Sequence, residues 1–209
     1  MDPIEGGCLE RSHLARFQVE RLKRDFPDFV DDPEHAALAR FFFEQVYGAP
    51  DKRERDVAFE RVQGLIAGRL GERLGRQLED LVRLNEMTDR MDEVLLRRMR
   101  ELGLGSSFSE AEYERAYRSL ENRLEREEQI EILCRSVDFF WSLSRSRLAA
   151  FWLGTVKRIA RLWGGTALLG FLEQGYQAFR RIREIDRFRH ALRERERLRL
   201  DRIFGGPKG

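Results

Sequence analysis

The side chains of this chain that could ligate a metal or relay a proton are few and poorly spaced for either task. Glu10 and His13 have the i,i+3 spacing by which a helix offers a carboxylate and an imidazole to a di-iron centre. Such a centre takes a second pair of this kind and two further glutamates from facing helices. The sequence holds no second Glu-x-x-His. A haem would have to take His35, at a helix start, or His190, in an arginine-dense helix. For both the expectation is a solvated surface imidazole. Cys8 and Cys134 match no metal or redox spacing. No glycine-rich phosphate loop and no G-x-S-x-G elbow occurs. The expectation is therefore no metal, no cofactor and no catalytic residue.

A second set of polar groups lies in FFFEQVYGAPDKRERD, Phe41 to Asp56. Glu44, Arg55 and Asp56 could form a network beside a helix turn. An arginine between two carboxylates in such a place locks the turn, and that structural role is expected here in preference to catalysis. Phe41, Phe42, Phe43, Val46 and Tyr47 form the densest apolar cluster of the N-terminal half. On an α-helix Phe42–Val46 and Phe43–Tyr47 are i,i+4 pairs on adjoining strips. Three consecutive phenylalanines cover too wide an arc for one partner, so this helix should pack against at least two others, with Phe42 and Tyr47 buried. Gly48 suits the left-handed position after a helix, and Pro50 the first turn of the next.

The run FFFEQVYG, followed by Asp51 and by Arg55-Asp56, resembles the signature of a bacterial family of uncharacterised proteins named for an FFLEELY motif. Phe41, Phe42, Glu44 and Tyr47 stand as in that motif; Phe43, Gln45 and Val46 depart from it conservatively. GFLEQGYQAFRRI, Gly170 to Ile182, resembles the second characteristic block of the same family. The resemblance spans the chain from about Leu22 to about Phe204. It implies a soluble α-helical protein, and, because that family carries no assigned activity, it implies no chemistry.

The elements that position these residues follow from proline and the helical period. Proline occurs only at 3, 27, 33, 50 and 207, and the Leu/Arg/Glu-rich sequence between Pro50 and Pro207 has apolar residues at 3–4 spacing, which means helix. The first helix is expected over Leu9–Arg24, ended by Phe26-Pro27, with Leu14, Phe17 and Leu22 inward. Asp31 or Asp32 caps the next, with Pro33 in its first turn, and it carries the Phe cluster to Tyr47. A third starts near Pro50. Gly64, Gly68, Gly71 and Gly75 predict a loop or kink at 67–73. A long helix follows from Glu72 to Leu102, with Leu78, Leu81, Val82, Leu84, Leu95 and Met99 toward the core and Gly103 at its end. Ser109 and Glu112 form a capping box for a helix that carries Tyr113, Tyr117 and Leu120. Further helices are expected over Arg123–Leu143, Leu148–Trp163, Thr166–Ile182 and Ile185–Phe204. The fold expected is all-α, a single bundle-like domain of seven to nine helices over residues 1–204, with both motif blocks central and 205–209 a frayed tail.

Length and composition fit that reading. The chain has 209 residues, 36% charged and 42% hydrophobic, enough for one compact domain with a real core. Its net charge of +2 is divided unevenly. Residues 1–144 carry 23 Lys/Arg and 31 Asp/Glu, and residues 145–209 carry 16 and 6, so the two parts are net −8 and +10. Lysine appears only at 23, 52, 157 and 208; the other basic residues are arginine. The N-terminus lacks the basic start and apolar run of a signal peptide. The longest charge-free stretch of the C-terminal part, Leu162–Leu172, is far short of the ~20 residues of a membrane span. A cytoplasmic protein is expected.

Two partner surfaces follow from the basic part. Trp152 and Trp163 share a helix face, flanked by Lys157, Arg158 and Arg161, a composition that can lie in a membrane interface or form the core and rim of a bundle. The arginines from Arg180 to Arg202 could track a phosphate backbone, but Glu184, Asp186, Glu194, Glu196 and Asp201 are interleaved with them at i,i+3 and i,i+4 spacing, as on a salt-bridged face. Internal neutralisation against the acidic N-terminal helices is the preferred expectation. The function expected is a non-enzymatic module that binds another protein or a second copy of itself. The alternative is a peripheral membrane, anionic-ligand or nucleic-acid binder that uses the arginine-rich C-terminal third, and an enzyme ranks third.

Overall fold

The computed structural model describes residues 3–47, 71–145 and 166–205. Every regular element among them is helical, as the sequence implies. In order they are α1 (Pro3–Asp25), α2 (Pro27–Val30), α3 (Ala36–Arg40), a π-helical segment (Phe41–Tyr47), α4 (Gly71–Glu101), α5 (Glu110–Arg118), α6 (Arg123–Arg145), α7 (Thr166–Arg180) and α8 (Asp186–Phe204). The helix expected near Pro50 and the one expected over Leu148–Trp163 lie outside the described residues, as does most of the loop expected at 67–73.

Local chemistry sets most of the boundaries. Pro27 pushes the residue before it out of the helical region, and Phe26 sits at φ −128°, ψ 46°. The chain then makes one extra turn, α2, that four residues are too few to announce by periodicity. Asp32, not a regular N-cap residue, organises the entry to α3: one carboxylate oxygen accepts from the Glu34 N–H at 3.1 Å. Gly103, at φ +73°, closes α4 in a Schellman arrangement. Leu104 N–H donates to Met99 O at 2.9 Å and Gly103 N–H to Arg100 O at 2.9 Å. The Ser109–Glu112 capping box is present in both directions, at 2.8 and 3.3 Å.

The core is built around α6, which packs on α4, α7 and α8. Its Ile130, Leu133, Cys134 and Val137 are buried, as are Leu84, Met87, Met91, Leu95 and Met99 along one stripe of α4. Leu14 and Leu22 of α1 are fully enclosed. Leu81 and Val82 are only half-buried, because the α4 stripe runs through Met87 and Met91 instead.

The Phe run departs from the expected α-helix. Over Phe41–Tyr47 the backbone is π-helical, a widened turn that is rare and confined to short segments. Three consecutive side chains are thereby buried against three different neighbours. Phe41 meets Phe171 at 5.1 Å and Phe179 at 6.3 Å, both on α7. Phe42 meets Phe188 of α8 at 5.6 Å. Phe43 meets Phe26, between α1 and α2, at 5.6 Å. The expectation of at least two partner helices is met. The two motif blocks also pack on each other, since the Phe41 ring lies flat over Gly175 of α7: a Cβ there would stand 2.8 Å from Phe41 Cζ.

Two stability effects are expected. Phe42 is 3% exposed, so Phe42→Ala should cost about 3–5 kcal/mol in urea unfolding; an unchanged midpoint would refute its core role. Gly175→Ala should lower stability although alanine favours helix by about 1 kcal/mol. The added methyl overlaps a ring already hemmed in by Phe171 and Phe179, an overpacking cost of about 1–3 kcal/mol. A gain in stability would mean that the ring moves aside freely.

Candidate functional site

Of the residues that the sequence singles out, Phe41 and Phe42 are core side chains. Glu44 makes an ion pair at 3.3 Å with Lys23 of α1, which ties the π-helical segment to the first helix. Tyr47 ends that segment, and its side chain lies outside the described residues. So do Gly48, Asp51, Arg55 and Asp56, and all of Trp152, Lys157, Arg158, Arg161 and Trp163. His190 is exposed. His35 is not the solvated imidazole expected: it is 5% exposed. Its Nδ1 is 2.7 Å from Asp32 Oδ2, and its ring stands edge-on to Phe29 at 5.3 Å. The Asp32 carboxyl lies below its ordinary value, because it accepts from the Glu34 N–H and bonds the His35 ring. Cys134 is a free thiol that burial pushes up to about 11, too high for a thiolate nucleophile. Among the described residues no three His, Cys, Asp or Glu converge as metal ligands would.

The arginines of α8 are answered by carboxylates, but largely not by their own helix. Arg195 pairs with Asp28 at 2.6 Å, Arg187 with Asp32 at 3.3 Å, and Arg189 with Asp138 at 2.8 Å. Arg193 and Arg197 share Glu131, at 3.1 and 2.9 Å. Arg199 reaches Glu110 at 3.3 Å and Glu114 at 3.5 Å, and Arg202 reaches Glu114 at 2.7 Å. The interleaved carboxylates look outward too: Glu196 takes Arg21 of α1, and Asp201 takes Arg123 of α6 at 2.5 Å. Within α8, Asp186–Arg189 is an i,i+3 pair. The salt-bridged face expected along one helix is instead a lattice between helices. The basic charge of α8 is neutralised by carboxylates of α2, α5 and α6 and of the turn after α2.

Between α1, α4, α5, α6 and α8 lies a cavity of about 30 Å³ whose walls are mainly polar. On the measure by which one water needs roughly 10–15 Å³, it holds about two. Gln18, Arg21, Asp92, Arg126 and Gln129 are all under 10% exposed. Gln18 Nε2 donates to Asp92 Oδ1 at 3.1 Å. Arg21 Nη1 donates to Glu196 and to Asp25, the latter at 3.4 Å. Gln129 Nε2 donates to Thr88 Oγ1 at 2.8 Å, and the Thr88 hydroxyl donates in turn to Leu84 O at 2.7 Å. Arg126 donates from Nη1 to Gln129 Oε1 at 3.3 Å and lies over the Tyr117 ring at 4.4 Å. Its Nε and Nη2 are buried with no hydrogen-bond partner. Burial pushes the Tyr113 and Tyr117 phenols well up, so both stay neutral.

The sequence places Tyr113 and Tyr117 on a capped helix but does not single out the charged members of this cavity. A signal existed. Arg126 stands four residues before Ile130 and seven before Leu133, Thr88 and Asp92 continue the apolar stripe of Leu84, and Gln18 lies between Leu14 and Leu22. Polar residues in apolar register mark a buried polar cluster.

Residues 8–208 match the model of a domain of unknown function, DUF8198. No curated protein and no solved structure matches the chain.

The lattice makes acid stability depend on Asp28. The hydrogen bond from Arg195, helped by the charge of Arg187, holds its carboxyl below the ordinary value of 3.8. A depressed folded-state value contributes stability above the unfolded value, and that contribution is lost as pH falls through the folded one. Asp28→Asn should therefore be less stable than the native chain near pH 7, with the two urea midpoints converging as pH falls below the ordinary carboxylate value and through the depressed folded one. Parallel curves would show that the pair contributes nothing.

Proposed function

The chain belongs to the DUF8198 family, and from that premise we propose that it is a non-enzymatic helical module that binds another protein. It acts as one domain over residues 1–204, and its Phe41–Tyr47 run is the FFLEELY-type signature of a bacterial, cytoplasmic protein. What supports this reading is the use to which the distinctive residues are put. Phe41, Phe42 and Phe43 are enclosed by aromatic neighbours, so the motif serves as a packing lock. No helix of the described residues is long and apolar enough to cross a membrane.

The arginine-rich alternative loses ground on α8, where Arg187, Arg189, Arg193, Arg195, Arg197, Arg199 and Arg202 all have carboxylate partners. A phosphate backbone would have to displace those carboxylates one by one, against local negative charge. Leu124 on α6 and Leu198 on α8, at 79% and 60%, are the most exposed large apolar side chains among the described residues. They are the first candidates for contact with a partner, since truncating an anchor side chain costs most of an interface's affinity.

The test is affinity purification from the native cell of the full chain beside a Leu124→Glu/Leu198→Glu variant. A protein should co-purify in near-stoichiometric amount with the native chain and fall at least about tenfold with the variant. Duplex DNA and anionic liposomes should bind weakly at physiological salt. Micromolar anion binding, lost on Lys157→Glu/Arg161→Glu and steeply salt-dependent, would replace this reading with the alternative.

A further inference from the structure

Arg126 is 4% exposed, and among the described residues no carboxylate forms an ion pair with it. The other arginine of the cavity is differently placed: Arg21 is answered by Glu196 and Asp25. A buried cation costs several kcal/mol unless charge and hydrogen bonds compensate it. The compensation that Arg126 does have is one hydrogen bond to Gln129 Oε1 and the face of Tyr117, and a cation–π contact contributes only about 0.5–2 kcal/mol. It also sits in the first turn of α6, where the helix dipole disfavours a positive charge.

The two nitrogens left without a partner are Nε and Nη2. They lie on one edge of the guanidinium, the edge with which arginine clamps a carboxylate or a phosphate bidentately. Nη1, the nitrogen off that edge, is the one held by Gln129. Gln129 is fixed in turn by Thr88, and Thr88 by the α4 backbone, so the fork is held in place from behind. The cavity that Arg126 lines has room for about two waters, the size of a small oxyanion head. The geometry points to an oxyanion site: the Arg126 fork binds one carboxylate or phosphate group inside the bundle, between α1, α4, α5, α6 and α8. This goes beyond the protein-binding reading and does not depend on it.

The test uses the full chain and two probes, sodium acetate and inorganic phosphate, each against sodium chloride at matched ionic strength. One of the two should raise the melting temperature saturably beyond the chloride control, and the one that does so names the group bound. Arg126→Lys keeps the charge and loses the fork, so it should weaken that binding at least about tenfold. If the variant does not fold, the native chain still decides the matter through the Arg126 Nε–H resonance, assigned by ¹⁵N-arginine labelling, which should shift and saturate with the same probe. A resonance that neither probe moves, with melting that tracks ionic strength alone, would overturn the proposal and leave a hydrated cavity. Equal binding by Arg126→Lys would overturn the bidentate fork as its basis.

Discussion

Three consecutive aromatic side chains that must all leave water are the constraint on which the rest of this fold depends. No single helix face can bury Phe41, Phe42 and Phe43 together. The chain meets the demand by widening to a π turn and by gathering α7, α8 and the α1–α2 corner around it. Each ring then contacts other rings: Phe171 and Phe179, Phe188, and Phe26. Because each ring is 4% exposed or less, removing one leaves a cavity that its neighbours cannot fill without losing their own contacts. Gly175 belongs to the same lock, since only a residue without Cβ lets α7 lie flat on Phe41.

The second organising interaction is electrostatic, and it differs in kind. The outer pairs of α8 are weak individually, of the order of 0.2–1 kcal/mol each. Their importance lies in direction. Arg195 reaches α2, Arg193 and Arg197 reach α6, and Arg199 and Arg202 reach α5. Alternative placements of α8 would leave arginines facing arginines or carboxylates facing carboxylates. The apolar core supplies most of the stability, and the charge lattice selects the register in which α8 docks. Toward the interior the same lattice meets the polar cavity, where Arg21 is answered by Glu196 and Asp25 while Arg126 has no carboxylate partner among the described residues.

Helices were legible in the sequence because their causes are local. Proline at 27 stops α1, Gly103 closes α4, and the Ser109–Glu112 box opens α5, each through chemistry confined to a few residues. The burial of Leu84, Leu95 and Met99 follows from helical period alone. The charge asymmetry between residues 1–144 and 145–209 likewise foretold that α8 would meet carboxylates. What the breakers, caps and apolar periods share is that the free energy deciding them is set within about one helical turn.

Everything that required knowing which turn faces which was decided by tertiary structure. The i,i+4 ladder expected along α8 gave way to partners dozens of residues away, because Glu131, Asp28 and Glu114 lie nearer in space to those guanidiniums than their neighbours along the helix do. The π turn arises from the need to serve three helices at once, and no property of FFFEQVY alone demands it. His35 is buried because Phe29 and Asp32 close over it. The cavity holding Arg126 is assembled from five helices spread from Gln18 to Leu200. The sequence shows only that polar side chains interrupt apolar stripes. Whether such an interruption is a solvated edge or a buried fork depends on what the other helices bring to it, and that follows from long-range packing rather than from local propensity.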